Sequence, residues 1–353
     1  MSPRHAGIVG TGLIGGSIGL ALRRRGWHVT GDDHDPTRSA RALDLGALDS
    51  VGLDPTAEIT FLATPVQAVA AEARKALEAG SGIVTDVGSV KASIVSSVND
   101  PRFLGGHPMA GSEQEGVDGA DADLFAGAVW VLTPTSGTSD STYALVRSVV
   151  TALGADVVAL APDHHDALVA VVSHVPHLTA AALMHLADDK ATEHRALLRL
   201  AAGGFRDMTR IAAGHPGIWP DICAENRDAI VDVLGSFIGS METMRGVVER
   251  GDRAGLLAVL EQARAARVNL PSRVVRPQDM CEVRIPVPDR PGVLAEVTTL
   301  AGTLDVNIAD LEIAHSSEGE RGVLILVVDA EAAERLRGGL VEQGFRPAVF
   351  PLE

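Results

Sequence analysis

The chain has 353 residues, 46% of them hydrophobic, which is enough for two or three domains with separate cores. Its formal net charge of −16, from 46 acidic and 30 basic residues, excludes a broad footprint for nucleic acid or an anionic membrane. Two cysteines, Cys223 and Cys281, supply neither a disulfide framework nor a metal quartet, so a reducing, cytoplasmic setting and no metal site are expected.

In chain order, AGIVG reads as a short buried strand, and SIGLALRRRG as a helix closed by Gly26. HVTGDD reads as the second strand. The apolar run AGIVGTGLIGGSIGLAL resembles an export signal, but its glycine punctuation fits a strand, turn and helix better, and neither export nor membrane spanning is expected. The strand rhythm returns at residues 58–65, 82–89, 102–107, 128–134 and 155–162, with helical stretches such as VQAVAAEARKALEAG between several of the runs. Alternating strands and helices imply a mostly parallel sheet covered on both faces, over residues 1–162.

From Asp163 to about Ala266 the pattern is helical only, and Pro176 is expected to kink or split the first of these helices. Such apolar helices need a partner, so residues 163–270 predict an all-α unit that pairs with a second copy as a homodimer. VNLPSRVVRPQDM, 268–280, reads as a linker. Residues 279–353 then read β-α-β-β-α-β, a small ferredoxin-like sandwich.

Gly10-Thr11-Gly12-Leu13-Ile14-Gly15 follows the first strand and opens the first helix. In this G-x-G-x-x-G, Gly10 permits the tight turn, Gly12 lets a pyrophosphate approach the backbone, and Gly15 allows close helix–strand packing. The second strand ends in Asp32-Asp33, where an acid binds ribose hydroxyls and two acids repel a 2′-phosphate. NAD is therefore expected over NADP, with Asp33 as the ribose ligand. The residues expected around it are Gly10, Gly12, Leu13, Ile14, Gly15, Asp33, Thr64, Pro65 and Ser89.

TDVGSV places Ser89, and GGHPMAG places His107, at two successive strand ends on the carboxyl edge of that sheet. Histidine is the natural proton acceptor beside a hydride acceptor, and the Ser89 hydroxyl is expected to orient it. In GGFRDMTRIAAGHPGIWPDICAENRD, Arg206 and Arg210 are spaced to share a helix face. They read equally as a carboxylate clamp or as exposed charges, Arg206 pairing with Asp207. His174 and His177 flank Pro176; one of them is expected to line the cofactor cleft, while His164, His165, His174 and His185 default to helix-face histidines.

The stretches GTGLIGGS, DVGSVK, GGHPMAGSE, SHVPHL and GGFRDMTRIA, in this order, resemble the prephenate/arogenate dehydrogenase family of tyrosine biosynthesis. The resemblance implies NAD-dependent oxidative decarboxylation of prephenate, or alternatively of arogenate. It implies that His107 takes the ring-hydroxyl proton, Ser89 supports it, Arg210 holds the side-chain carboxylate and His177 lies between substrate and cofactor. Glu113, Asp207 and Arg206 would form ionic contacts near the entrance. The C-terminal segment is similar to ACT modules, with Asp289, Gly292 and Asn307 in the turns that would hold an effector, tyrosine by pathway logic.

Two other readings differ in class. A β-hydroxyacid-dehydrogenase-like enzyme would need a helical lysine as acid/base, and Lys190 is the sole lysine of the helical segment, in a polar stretch. A non-enzymatic nucleotide and amino-acid sensor would be expected to lack His107 or Arg210, and both are present.

Overall fold

The computed structural model describes residues 3–112, 114, 116–193, 197–268, 280–288, 290–315 and 321–351. It separates into two compact units, Met1–Gly246 and Val247–Glu353. The linker expected at 268–280 lies almost wholly outside the described residues, as do Glu113 and Asp289.

The first unit begins with β1 (His5–Val9), α1 (Leu13–Arg24), β2 (His28–Asp32), α2 (Pro36–Asp44) and β3 (Ser50–Val51). It continues with β4 (Ile59–Leu62), α3 (Val66–Ala79), β5 (Ile83–Asp86), α4 (Ala92–Ser97) and β6 (Phe103–Pro108). The strands β7 (Val129–Thr133) and β8 (Asp156–Ala159) flank α5 (Asp140–Ala152). The sheet order is β3-β2-β1-β4-β5-β6-β7-β8, the doubly wound arrangement with its switch point at β1 and β4. Every expected strand is there. The two-residue β3 is too short to give a periodic signal, and β7 runs antiparallel to β6, a reversal that apolar runs alone do not encode.

Strands buried on both faces need side chains above and below. Ala6, Ile8, Ile18, Leu22, Ile59, Phe61, Leu104 and Trp130 are all at or near zero exposure in one cluster. Val9, Leu62, Val69, Ala73 and Ile94 form a second cluster under α3 and α4. This packing fixes the carboxyl ends of β1, β4, β5 and β6 along one edge.

The helical part follows with α6 (Pro162–Val169), a π-helical turn at Ala170–His174 and α7 (Val175–Glu193). The expected break at Pro176 becomes a change of helical register. A proline has no N–H to give the preceding turn, and the wider π turn just before it lets the helix run on. By length and composition the continuous helix 162–191 would suffice to cross a membrane. Its His165, Asp166 and His174 are buried and hydrogen-bonded to protein groups. Then come α8 (Gly203–Thr209), α9 (Trp219–Glu225) and α10 (Arg227–Glu249).

In the second unit, α11 (Arg253–Val268) precedes β9 (Met280–Pro288), α12 (Val293–Thr303), β10 (Ile308–His315), β11 (Arg321–Asp329), α13 (Ala330–Glu342) and β12 (Ala348–Pro351). The expected β-α-β-β-α-β order is present as an antiparallel sheet, β10-β11-β9-β12. Val283, Ile285, Val297, Leu324, Leu326, Leu336 and Leu340 pack between sheet and helices. Gly292 caps α12 at φ +91°, a left-handed conformation that disfavours any side chain. It borders a cavity of about 560 Å³ with Glu296, Thr299, Gln343 and Phe345, and Asn307 is exposed ahead of β10.

Candidate active site

The glycine turn has the geometry a dinucleotide needs. Gly10 sits at φ +91°, and a Cβ there or on Gly15 would collide with backbone of Ala63 or Gly10. A Cβ on Gly12 would meet nothing within 4 Å. Gly10 and Gly15 are therefore required by packing. Gly12 is not, and the space over it is left for a ligand at the N-terminus of α1, where no side chain caps the first turn. Asp33 spans this turn: one carboxylate oxygen accepts from the Thr11 N–H (2.8 Å), the other from the Asp35 N–H (3.1 Å). Across the crevice, Thr64 Oγ1, just past the end of β4, is buried with no hydrogen-bond partner among the described residues. An open cradle, an orphaned hydroxyl and an acid at the end of β2 fit a dinucleotide. Leu13 lines the cleft beyond, which has a volume of about 980 Å³ and also receives Arg38, Ser112, His177, Arg210 and Trp219.

His107 ends β6 on the same edge. It is 9% exposed, so its ring is held almost wholly within the protein. Its Nδ1 is 2.9 Å from His165 Nε2, and His165 Nδ1 is 2.8 Å from Asp166 Oδ1. Asp166 also accepts the backbone N–H of Lys91 (2.8 Å) and Ala92 (2.9 Å), so its carboxylate caps α4 from the neighbouring helix.

Ionised Asp166 can only accept. His165 therefore donates from Nδ1, which leaves its Nε2 as an acceptor for the N–H on His107 Nδ1. The basic lone pair of His107 then lies on Nε2, which takes no hydrogen bond among the described residues. Burial, then the neighbouring His165, Lys91 and His174, push the His107 pKa well below the ordinary histidine value, so the ring is a neutral base at physiological pH.

This relay corrects one expectation. His165 is a fully buried link in the site, where periodicity suggested a helix-face histidine. Ser89 is half-buried on the loop after β5 and has no hydrogen bond to His107, whose Nδ1 is taken by His165. The residues missed were His165, Asp166, Lys91 and Asn226, whose amide bridges the Asp166 carbonyl (2.8 Å) and His174 Nδ1 (3.1 Å). The histidine–aspartate pair at 165–166, in the first turn and a half of a helix that opens with Pro162, was the available signal.

His177 stacks on Trp219, with centroids 3.7 Å apart and planes 15° from parallel, and burial lowers its pKa. Arg210 lines the cleft with it, whereas Arg206 is exposed and donates to the Ala201 carbonyl. The arginines do not form the paired face that i,i+4 spacing suggested, because α8 ends at Thr209 and Arg210 opens a 3₁₀ turn. No Arg206–Asp207 ion pair exists among the described residues, and Asp207 is exposed. Lys190 is exposed on α7, and no metal-binding cluster occurs among the described residues.

Residues 18–159 match the prephenate dehydrogenase nucleotide-binding domain, and residues 161–262 match the prephenate dehydrogenase dimerisation domain. The chain belongs to the prephenate dehydrogenase family. A prephenate dehydrogenase of Bacillus subtilis (strain 168) is 33% identical over 334 residues, 90% of each chain. Among solved structures, prephenate dehydrogenase from Aquifex aeolicus in complex with hydroxyphenyl propionate and NAD+ has a TM-score of 0.72 at 32% identity, covering 77% of this chain and 99% of that one. Synechocystis arogenate dehydrogenase has a TM-score of 0.65 at 32% identity, covering 74% and 98%. Membership of the prephenate dehydrogenase family leaves the β-hydroxyacid-dehydrogenase and sensor readings without support.

Proposed function

We propose that the chain is an NAD-dependent dehydrogenase that converts prephenate to 4-hydroxyphenylpyruvate in tyrosine biosynthesis. The observation that carries this is His107, a neutral base with its Nε2 uncommitted, on the same sheet edge as the Gly10–Gly15 cradle. Prephenate is a cyclohexadienol with a carboxylate on the carbon para to the hydroxyl. His107 Nε2 takes the hydroxyl proton as hydride leaves the carbinol carbon, and bound NAD supplies the hydride acceptor. The resulting vinylogous β-keto acid loses carbon dioxide and becomes aromatic. Aromatisation drives the reaction, so the protein has mainly to align the ring and hold one base. Arg210 pairs with the substrate side-chain carboxylate, and the His177–Trp219 stack borders the ring. Ser89 contributes at the nicotinamide end, with Pro65 and Ile14 beside the dinucleotide. Arg206, Asp207 and Glu113 contribute charge at the entrance.

The enzyme works as a cytoplasmic homodimer with limits at 1–162, 163–270 and 279–353. The third domain is ferredoxin-like, of ACT type, and binds tyrosine as a feedback effector at the turn carrying Asp289 and Gly292 and at Asn307. The cavity beside Gly292 supports this, as does the Bacillus subtilis match, which extends past residue 262. Arogenate, with an amino group in place of the keto group, is the second reading, favoured by the likeness to the Synechocystis enzyme.

NADH formation measured with prephenate and arogenate, each with NAD and NADP and with or without tyrosine, tests all of these. Turnover is expected with prephenate and NAD, slowed by millimolar tyrosine. Absence of turnover with both substrates would remove the assignment, and a rate and calorimetric trace indifferent to tyrosine would remove the effector.

A further inference from the structure

Beneath His107 lies an ion pair that the reaction described above does not use. Lys91 and Asp86 are both at 0% exposure and are joined through Nζ and Oδ2. They occupy a gap in the sheet. The β5–β6 ladder ends at Thr85 and Leu104, so the backbone groups of Gly106 have no strand partner on that side. Asp86 Oδ1 accepts the Gly106 N–H (3.1 Å), and Lys91 Nζ donates to the Gly106 carbonyl (2.8 Å). Both hydrogen-bonding groups of the residue before His107 are thus held by one side-chain pair. The glycines are required for this. A Cβ on Gly105 would come 2.8 Å from Val95 Cγ2, and one on Gly106 would come 2.8 Å from the Asp86 carbonyl oxygen. The backbone N–H of Lys91 also binds Asp166, the far end of the histidine relay.

We propose that Lys91, seated on Asp86, is a positioning residue for the base: it fixes the peptide that carries His107 and holds a positive charge under the imidazole. The inference rests on the reading of His107 as the base. A buried ion pair is a poor source of stability, since desolvation of both charges offsets their attraction, so its placement under the reacting histidine calls for another reason. The titratable groups around His107 are His165 and Asp166 on α6, His174 in the π turn, and Asp86 and Lys91 below β6. Among them Lys91 is the only lysine. It adds to the burial that keeps the ring unprotonated.

The experiment follows the His107 titration in the full chain by NMR with ¹³C-labelled histidine, its resonance identified by loss in His107→Asn. Lys91→Met is expected to raise the midpoint by about one pH unit, because it removes a cation and leaves Asp86 unneutralised. It should lower kcat about tenfold or more while KM stays within about twofold. The double variant Asp86→Asn/Lys91→Met leaves no buried charge unpaired and guards against misfolding of the single variant. Its midpoint should fall between those of Lys91→Met and the wild type. A midpoint unmoved in the folded double variant, or a loss of kcat that is the same at every pH, overturns the inference. Turnover surviving in His107→Asn would instead overturn the base assignment, and the NMR shift would still report on Lys91.

Discussion

His107 Nδ1 lies 2.9 Å from His165 Nε2, and that contact decides which end of the imidazole is basic. Because the chain of donors ends on a carboxylate, the tautomer is set from the far side: Asp166 fixes His165, and His165 fixes His107. The logic is that of a catalytic triad, in which a buried acid two bonds away holds the reacting nitrogen in its working form.

Replacing His107 with asparagine keeps a polar group of similar size and removes the base. kcat is expected to fall about 10²–10⁴-fold with KM little changed, in steady-state assays of NADH formation. The pH profile carries a second check. The pKa of His107 is lowered on folding, so the neutral, active form persists below the ordinary value of about 6.5. The acid limb of kcat/KM should therefore fall below pH 6.5. A limb at or above that value would contradict the buried seat of the ring.

The carboxylate of Asp166 has a cost that can be measured separately. Asp166→Asn presents an amide that cannot accept from His165 and the Lys91 and Ala92 N–H groups on both of its terminal atoms. A loss of about 2 kcal/mol of stability is expected from the unsatisfied donors, read as a lower denaturation midpoint. kcat should fall about 10- to 100-fold, since His165 would be free to turn to its other tautomer. Full activity in a folded Asp166→Asn variant would show that the relay does not orient the base.

The pH dependence of stability follows from His174, which is 1% exposed and whose pKa burial pushes down to about 4. A histidine lowered on folding binds its proton more weakly in the native state. Its contribution is present in full above about pH 6.5 and is lost as the pH falls towards 4, a change on the order of 3 kcal/mol. Denaturation midpoints of the wild type and His174→Gln should converge on acidification through this window. A constant gap between them would place the acid sensitivity elsewhere.

Much of this was readable from the chain because it depends on local pattern. The cradle at Gly10–Gly15, the strand ends carrying Asp33 and His107, and the β-α-β-β-α-β order near the C-terminus all follow from apolar runs and turn residues close in sequence. The relay was not readable, since His107 and His165 are 58 residues apart and meet only where a helix of the next segment packs on the sheet edge. Periodicity places His165 on a helix face but does not say what that face touches. The Asp86–Lys91 pair was hidden for a similar reason: a charged pair five residues apart reads as surface until the gap between β5 and β6 is known. The split of Arg206 from Arg210 turns on a helix ending at Thr209, and element ends are where spacing rules are weakest.

The glycines of the cradle separate packing from binding. Gly12→Ala adds a methyl group into open space, so the denaturation midpoint should hold while the Kd for NAD, by fluorescence quenching or calorimetry, rises about tenfold or more. Gly15→Ala forces a methyl group against the Gly10 carbonyl and within 3.1 Å of Ile8 Cγ2, so it should lower stability as well as binding. If Gly12→Ala binds NAD as tightly as the wild type, the dinucleotide does not lie over that turn.

The helical domain makes the last test. α10 exposes Val231, Ile238 and Met241, each more than half accessible, and Phe237 borders an apolar groove of about 580 Å³ with Val175, Leu183 and Met208. A contiguous apolar face of this kind is unfavourable in water at about 25 cal/mol per Å², and the dimerisation-domain match at 161–262 covers it. Ile238→Glu puts a charge at the middle of that face, where pairing with a second copy would bury it without a partner. Sedimentation equilibrium should show the wild type at twice the chain mass and the variant at the chain mass. NAD affinity should be unchanged in the variant, because the cradle lies wholly within the sheet and α1. A variant that remains dimeric would mean that the two copies meet through another surface.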